Sequence, residues 1–548
     1  MSDVSKEETG EAPATPEPTG HTPPPAKQAP PVRWWPAVLV GVAAASVITV
    51  LWARGDLNHQ RRNLGTAITL ALSGGLMGIW LLFLSRMRWR TRFAIIGVLA
   101  ASAGLVCALF QMHGVTGDLV PILEFRWTKH PLALASSPVV GQPPVSAAVS
   151  RVPGDYPQFL GPNRNGALPG PVIATDWQAH APTLVWRKPL GPAWSGFAVV
   201  GNIAVTQEQR GESEAVVAYD LPSGRELWVH TDAVRYFTTL GGEGPRATPT
   251  IANGRVYTLG ALGDLDCLDL TNGTLAWRKS LQTEFQAKPP EWGFASSPLV
   301  WSNLVVVAVG GKGHSLAAFK TTDGSIAWAA GDASAGYGSP ALVELLGVPQ
   351  ILIFNGAGVT SHNPEQGTVL WHRDWPRSHP HVAAPVVVST NRVLISSGYG
   401  TGAALIEIKR NPAGAWETAE LWKTIRLKAK FNNPVTRAGY AYGLDDGILC
   451  CLDLASGKQM WKGERLGHGQ NLLVAATMLV STEDGFLTHY EPDPAAPKEL
   501  GRFRVFNRKT WNPFAVAGDY VLMRTDVEAA CIRLPVTAAS HPNPASPK

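Results

Sequence analysis

Basic, aromatic and amide side chains stand just before a series of short hydrophobic strands along the chain. The set comprises Arg246, Trp292, Tyr337, Lys430, Asn432, Trp511 and Asn512. An Arg or Lys side chain neutralises an anionic ligand, and a Trp or Tyr ring packs on a flat one. Two carboxylates, Glu243 and Glu291, precede two of these positions closely and could accept a proton. The residues can act together only if the fold brings the strand starts to one place.

A proline recurs where each of these strands should begin. It follows small or polar residues in Ala247-Thr-Pro249, Ser296-Ser-Pro298, Gly338-Ser-Pro340, Ala383-Ala-Pro385, Asn432-Asn-Pro434 and Trp511-Asn-Pro513. The interval is about 40–50 residues, apart from a last step that spans two units. The unit without the marker begins near His468. Strand starts at a constant interval predict a ring of similar sheets, with the candidate residues at one mouth of its central channel.

A second periodic signal is the phrase Asp-x-x-x-Gly-x-x-x-Trp. It occurs at 220–228, 269–277, 363–371 (with Asn first) and 453–461, and in shortened form at 323–328. Asp, Asn and Gly supply a tight turn, so each phrase predicts a hairpin whose returning strand is anchored by the Trp.

Eight outer strands follow from the two signals. They fall at Trp186, Trp228, Trp277, Trp328, Trp371, Trp422, Trp461 and, degenerately, near Phe503. The early strand at 184–187 has no inner strands of its own, and the last strands, through 530–534, lack an outer one. Joining the chain ends in one sheet closes the ring and removes exposed edges. We predict an all-β, eight-bladed propeller, or seven blades if the Phe503 unit is not a full blade.

The phrase resembles the pyrrolo-quinoline-quinone (PQQ) repeat of quinoprotein-type propellers, over about residues 155–535. The stretches at 155–166, 245–249 and 397–402 resemble a bacterial group of PQQ-repeat-like proteins. This propeller family includes dehydrogenases as well as proteins without a cofactor, such as the outer-membrane assembly lipoprotein. The resemblance therefore implies the fold and leaves two functions open.

In a dehydrogenase of this family, the quinone would lie flat in the channel beside Ca²⁺. The resemblance then implies that Arg246 or Lys430 contacts the quinone carbonyls and that Trp292 or Trp511 stacks on the ring. The base would be one of the two carboxylates named above. Helices before a propeller also resemble the membrane-bound quinoprotein glucose dehydrogenase, which delivers electrons to ubiquinone.

Two features that such an enzyme would use are weak in this sequence. Cys450 and Cys451 are adjacent, but they lie in mid-strand, where successive side chains point to opposite faces, so a vicinal disulfide is not expected. Asp445-Asp446-Gly447 is the best local candidate for Ca²⁺, yet it is typical of a hairpin turn. We predict no metal site, and PQQ with Ca²⁺ is the only cofactor that we consider.

Two functions are thus carried forward. We predict a ligand-binding, protein-binding or scaffold propeller, because the long insertions of the enzymes are missing. The alternative is a PQQ-dependent dehydrogenase of alcohols or sugars that passes electrons to a membrane quinone. Net charge is +5, but no Lys/Arg stripe runs through the repeats, so no nucleic-acid partner is expected.

The N-terminal part predicts a membrane anchor. Runs without charge at 35–53, 64–84 and 93–110 are each long enough to cross a bilayer as a helix. The predicted organisation is a disordered Pro-rich tail (1–32), the three-helix anchor (33–112), a linker (113–154), the propeller (155–535) and a disordered tail (536–548).

Orientation follows from the Arg-rich connector at 86–92, which is hard to translocate and is therefore placed in the cytoplasm. The propeller then lies outside the cytoplasm, in the periplasm of a cell that has one, and the protein is a multi-pass protein of the inner membrane. Its expected partners are membrane lipid around the helices and a protein at the propeller face.

Overall fold

The computed structural model describes residues 31–55, 57–128, 153–377 and 379–537. Most of the predicted N-terminal tail, much of the predicted linker and nearly all of the C-terminal tail lie outside these residues. Two compact units are distinguished: Met1–Val50 with Thr66–Leu105, and Leu51–Gly65 with Val106–Lys548.

The first unit contains most of three apolar helices, whose ends at 51–53, 59–65 and 106–109 belong to the second unit. Helix α1 spans Trp35–Ala53, α2 spans His59–Ile79 and continues as a π-helix over Trp80–Leu84, and α3 spans Trp89–Leu109. All three of these described helices are long and apolar enough to cross a membrane. The membrane-anchoring prediction is thereby supported for each of the three runs.

The second unit is almost entirely β-structure. The part of it that is described contains eight antiparallel sheets of four strands, one of which gains a short parallel fifth strand. The first four sheets run as follows: sheet 1, Ala198–Val200, Ile203–Arg210, Ser213–Asp220 and Glu226–Asp232; sheet 2, Thr250–Ala252, Arg255–Leu259, Asp264–Asp269 and Leu275–Ser280; sheet 3, Leu299–Trp301, Leu304–Ala308, Leu316–Lys320 and Ile326–Ala330; sheet 4, Ala341–Leu345, Val348–Phe354, Gly358–His362 and Val369–Asp374.

The other four sheets repeat this meander. They are sheet 5, Val386–Ser389, Arg392–Ser397, Gly402–Arg410 and Trp416–Thr424; sheet 6, Val435–Arg437, Tyr440–Asp445, Ile448–Asp453 and Gln459–Arg465; sheet 7, Gln470–Val474, Thr477–Ser481, Phe486–Glu491 and Lys498–Arg504, with Ala167–Leu168; sheet 8, Ala515–Ala517, Tyr520–Arg524, Glu528–Arg533 and Thr183–Pro189. The predicted pairing of the two chain ends is confirmed, since Thr183–Pro189 forms the outer strand of sheet 8. Many four-stranded antiparallel sheets are the arrangement expected of a propeller.

Smaller elements complete the unit. Phe110–Val115 and Pro121–Phe125 form a hairpin directly after α3, at the end of the predicted anchor and in the first part of the predicted linker. Phe237–Thr238 pairs with Gly242–Glu243, and helix α4 spans Leu281–Phe285.

The tryptophans of the repeat phrase join neighbouring sheets. The Trp228 indole N–H donates to the carbonyl oxygen of Leu270 in the next sheet, at 2.8 Å, and a Cβ on Gly273 would lie 2.5 Å from its ring. The same contact recurs between Trp186 and Gly224 and between Trp422 and Gly457. The phrase was predicted to anchor a strand within its own hairpin; it also packs one sheet against the glycine turn of the next.

Hydrogen bonds link the starts of the inner strands in a circuit. The bonded pairs are Gly196–Thr248, Thr248–Ser297, Ser297–Ser339, Tyr337–His381, Ala384–Asn433, Asn432–Asn471, Gln470–Trp511 and Asn512–Ser195. The circuit passes from sheet 1 through sheet 8 and returns to sheet 1. The strand starts are therefore brought together around one central space, as the proline marker predicts.

Candidate functional site

A mostly apolar cavity of about 310 Å³ lies where the inner strands begin. Its lining includes seven aromatic side chains: Phe159, Trp194, Trp292, Tyr337, Tyr399, Phe431 and Trp511. Two cationic side chains, Arg246 and Lys430, also reach it, and no Asp or Glu is found in the lining that the structure describes. A concave apolar pocket with a few placed polar groups is the usual form of a ligand site.

Part of the cavity wall comes from the segment at 155–168, which includes one of the stretches that resemble the PQQ-repeat-like group. Tyr156 pairs with Val199 of sheet 1, and Ala167–Leu168 pairs with sheet 7. Between them, the buried guanidinium of Arg164 donates to the carbonyl oxygens of Ser297 and Pro298, both at 2.9 Å. Burial lowers the pKa of Arg164 to about 9. The segment crosses the ring, and Phe159 forms part of the cavity wall.

Another part of the lining comes from the turn at 115–119 between the strands of the hairpin that follows α3. We call it the cap turn. Val115, Thr116, Gly117 and Leu119 all line the cavity, as does Gln60 from the first turn of α2. The cap turn and Gln60 belong to the same compact unit as the sheets.

Lys430 is the central polar group of the cavity. Its residue is only 3% exposed, and its ammonium donates to the carbonyl oxygen of Gly117 at 2.5 Å and to Gln60 Oε1 at 2.8 Å. It lies 4.9 Å from the centre of the Tyr399 ring. The described residues show no ion pair between Lys430 and a carboxylate, and burial lowers the pKa of Lys430.

Arg246 stands on the far wall. Its guanidinium donates to the carbonyl oxygens of Gly241 at 3.1 Å and Gly242 at 3.0 Å, and also to that of Gly244. It lies 4.7 Å from the centre of the Tyr236 ring. Burial lowers the pKa of Arg246 to about 10. Both cations are thus held by neutral oxygens and aromatic faces, a setting that favours an anionic or carbonyl-rich guest.

The aromatic walls are fixed by contacts with one another. Trp292 and Tyr337 have ring centres 5.3 Å apart, and the Trp292 backbone N–H donates to the Tyr337 hydroxyl at 3.3 Å. Trp511 lies 5.1 Å from Trp194 and 5.0 Å from Phe431. Such contacts hold the rings in place before any ligand arrives.

The structure brings together five of the seven residues predicted to bind a cofactor, namely Arg246, Trp292, Tyr337, Lys430 and Trp511. The remaining two are buried in the circuit between sheets. Asn432 donates to Asn471 Oδ1 at 3.4 Å, and Asn512 donates to the carbonyl oxygens of Ala193 and Ser195 at 3.0 and 2.9 Å. Their side-chain bonds join the strand starts.

The two carboxylates predicted as bases do not line the cavity. Glu243 accepts hydrogen bonds from Arg235, at 2.5 Å from Nη2. Glu291 is exposed, and its backbone oxygen accepts a bond from the Tyr236 hydroxyl at 3.0 Å. Their catalytic assignment stays a prediction, and no side-chain oxygen of either residue forms part of the cavity wall.

Glu483 is a mouth residue that sequence reasoning missed. Its carboxylate accepts the Trp511 indole N–H at 2.9 Å, the Gly117 backbone N–H at 2.7 Å and the His468 backbone N–H at 2.9 Å. The residue lies in the turn Thr482-Glu-Asp-Gly485, which outwardly matches any polar hairpin. Only its position next to the unit start at His468 could have drawn attention to it.

The residues around the cavity do not fit Ca²⁺, because that ion takes six to eight oxygen ligands and no carboxylate is present in the described lining. Asp445-Asp446-Gly447 forms the expected hairpin turn, with φ of 54° at Asp446 and 83° at Gly447. The Asp445 carboxylate is paired with Lys428 and, at 2.8 Å, with Lys462. Neither place supplies what the quinoprotein enzymes would need for their metal.

One His/Asp group in the described residues has metal-like spacing: His230, Asp232 and Asp266. The Arg278 guanidinium contacts all three and donates to Asp266 Oδ1 at 2.6 Å. The place that a cation would take is therefore held by an arginine.

The cysteines are all free. Cys450 packs in a core cluster with Leu405 and Ala441, and Cys451 packs in a different cluster with Tyr442. The adjacent pair points to opposite faces of its strand, as predicted, so it forms no cover over the cavity.

Comparison with known proteins agrees with this fold. A family profile described as outer membrane protein assembly factor BamB matches residues 212–463. No curated protein sequence matches the chain. Among solved structures, a europium-containing methanol dehydrogenase is 12% identical, with a TM-score of 0.54 over 70% of this chain and 99% of its own.

Two further structures are similar in the same way. Quinohemoprotein alcohol dehydrogenase from Comamonas testosteroni is 13% identical, with a TM-score of 0.53 over 72% of this chain and 82% of its own. BamB from Moraxella catarrhalis is 16% identical, with a TM-score of 0.47 over 65% of this chain and 98% of its own. At these identities the likeness concerns the fold alone. The repeat phrase, the sheets and the matched profile together support a likeness to the PQQ-repeat-like propeller family.

Proposed function

We propose that this protein is a membrane-anchored binding module whose channel mouth receives a ligand or a protein partner. The observation that carries the proposal is the cavity itself. Seven aromatic side chains surround a buried lysine and a half-buried arginine, and the described lining contains no carboxylate. A site of this kind is suited to holding a guest, because rigid rings give contact area at low entropic cost and the cations select its polar groups.

A protein partner is favoured over a small ligand by the matched family profile, whose description is an outer membrane protein assembly factor. The cavity of about 310 Å³ is at the lower end of the range for small-molecule sites. A loop or turn inserted from a partner would fill such a space while the surrounding rim supplied further contacts.

The eight sheets are proposed to be the eight blades of one propeller. The hydrogen-bonded circuit of inner strands supports this number, as does the pairing of the chain ends in sheet 8. The propeller is proposed to lie outside the cytoplasm, in the periplasm where one exists, because the connector at 86–92 carries four arginines.

The alternative function is a PQQ-dependent dehydrogenase. Aromatic walls and two cations would suit a flat, anionic quinone. The described lining contains no carboxylate to bind Ca²⁺, and the two proposed bases lie outside it. The cavity therefore suits the quinone in its aromatic and cationic side chains, but its described lining does not supply the carboxylates that would bind Ca²⁺ or act as the base.

Titration of the full-length protein in detergent with PQQ and millimolar Ca²⁺ separates the two functions. The binding-module proposal predicts no saturable change in cofactor absorbance and no thermal shift. Stoichiometric binding that is lost in Lys430→Ala but kept in Lys423→Ala, an exposed lysine of an outer strand, would contradict it. That result would make the dehydrogenase the primary function.

A further inference from the structure

The cap turn enters the channel mouth through its backbone. The Gly117 N–H donates to Glu483 at 2.7 Å, and its carbonyl oxygen accepts from Lys430 at 2.5 Å. Lys509 donates to the carbonyl oxygen of Val115 at 3.2 Å. The channel mouth thus binds the backbone of the cap turn at two places. It accepts a hydrogen bond from the N–H of Gly117 and donates to the carbonyl oxygens of Gly117 and Val115.

The glycine is required by space. A Cβ added to Gly117 would lie 2.0 Å from Cδ2 of His468, a ring that is almost fully buried. Backbone strain is not the reason, because Gly117 is not among the residues with positive φ. The His468 ring therefore leaves room for glycine at position 117 and excludes residues that carry a Cβ.

The next residue of the cap turn is selected by charge. Asp118 is paired with Arg465 at 2.8 Å and lies 3.3 Å from His468 Nε2. Burial alone would raise the pKa of Asp118, but the hydrogen bond with His468 and the charge of Arg465 lower it overall. The mouth therefore recognises a glycine followed by an acidic residue.

One face of the hairpin is open. Met112, Val120, Leu123 and Phe125 are each exposed by about half. The tip is held by several polar contacts, and Glu124 in the second strand pairs with Arg508 at 3.5 Å. A segment with little buried apolar surface opens at low free-energy cost.

We propose that the channel mouth is a receptor site for a glycine–aspartate turn, and that residues 115–119 occupy it in cis until a partner carrying the same turn displaces them. The inference rests on the proposed binding function and names the chemistry of its partner. Because the cap turn is tethered, it competes at an effective concentration of roughly millimolar. A free peptide with the same sequence should therefore bind poorly to the wild-type protein and well to a protein whose own turn is excluded.

The test uses the full-length protein in nanodiscs and a fluorescent peptide with the sequence of residues 113–121. We expect the peptide to bind Gly117→Ala at least tenfold more tightly than the wild type. Gly55→Ala is the matched control, since a Cβ at Gly55 meets nothing within 4 Å and the residue lies in the other loop of the same unit. A peptide with alanine in place of its central glycine should bind none of these proteins.

The rate of amide hydrogen exchange at 115–119 measures how often the cap turn leaves the channel mouth, and this measurement needs no ligand. Exchange should become at least tenfold faster in Gly117→Ala and in Asp118→Lys, and should be unchanged in Gly55→Ala. Unchanged exchange in both variants would overturn the inference, because the turn would not be held by these contacts. Faster exchange without a gain in peptide affinity would overturn it as well.

The two proposals can fail separately. If the peptide binds Gly117→Ala through Lys430 but no partner contacts the mouth in cells, the turn site stands and the wider binding function falls. If a partner contacts the mouth equally in wild type and Gly117→Ala, the binding function stands and the cis occupancy is wrong.

Discussion

A buried lysine and a half-buried arginine define the character of the site at the level of single residues. Lys430 and Arg246 face an aromatic cavity and donate mainly to carbonyl oxygens. A buried cation that lacks a carboxylate partner is costly unless hydrogen bonds or a guest compensate it. The protein keeps both cations at the same cavity, which is the arrangement expected if they serve binding.

A buried carboxylate near this wall gives a pH-dependent test. Glu214 is 6% exposed, accepts the Ala261 backbone N–H at 3.2 Å, and has a pKa raised to about 7, mainly by burial. In the unfolded chain the Glu214 carboxyl would ionise near pH 4.5. Between that pH and about 7, ionisation stabilises the unfolded state while the folded protein keeps the carboxyl protonated, so the free energy of unfolding falls. This loss begins near pH 4.5 and is complete above about pH 7.

We therefore expect Glu214→Gln to raise the free energy of unfolding of the β-unit at pH 8 by up to about 3 kcal/mol, and to have little effect at pH 4. Thermal unfolding followed by tryptophan fluorescence across this range measures the change. Glu212→Gln, at an exposed residue two positions away, should leave the profile unchanged. An equal effect of Glu214→Gln at both pH values would show that Glu214 ionises normally.

At the level of elements, the repeat phrase works between sheets. The Trp328 ring packs where the Cβ of residue 367 would be, at 2.3 Å, and its indole N–H donates to the carbonyl oxygen of Pro364 at 3.1 Å. The glycine of each turn is thus needed for its positive φ and for the ring that lies on it. This explains why a hairpin motif repeats together with its tryptophan.

Gly367→Ala should lower the free energy of unfolding by about 1–3 kcal/mol more than Gly254→Ala. Both glycines have similar positive φ, 74° and 70°, so the strain of a left-handed alanine is common to both. Only Gly367 faces a ring, since a Cβ at Gly254 meets nothing within 4 Å. Equal losses in chemical denaturation would mean that the indole contact contributes nothing.

At the level of the whole molecule, most of the fold could be predicted from two sequence features that repeat, the proline marker and the Asp-x-x-x-Gly-x-x-x-Trp phrase. The strand starts, the outer tryptophans and the joined chain ends follow from local patterns, and five predicted site residues meet because their strands begin at one mouth. Contacts between distant segments carry no such pattern. Gly117 lies in a stretch that appeared to be linker, and Glu243 pairs with Arg235 nearby, which spacing alone could not distinguish from a role in the channel.

The orientation in the membrane gives a prediction at the same scale. In a Cys107→Ala background, Thr322→Cys on an exposed turn should react with a membrane-impermeant maleimide in intact spheroplasts. Arg88→Cys, in the exposed arginine-rich connector, should react only after lysis. The reverse pattern would place the propeller in the cytoplasm.

The most direct measurement is photo-crosslinking in cells from the rim of the cavity. Leu240 lines the cavity and is 46% exposed, and Leu421 is a matched leucine, 41% exposed, on an outer strand. With benzoylphenylalanine in place of Leu240, we predict a discrete protein adduct that weakens at least tenfold in Trp292→Ala, and no such adduct from position 421. An adduct that forms equally from both positions, or from neither, would contradict a binding function for the channel mouth.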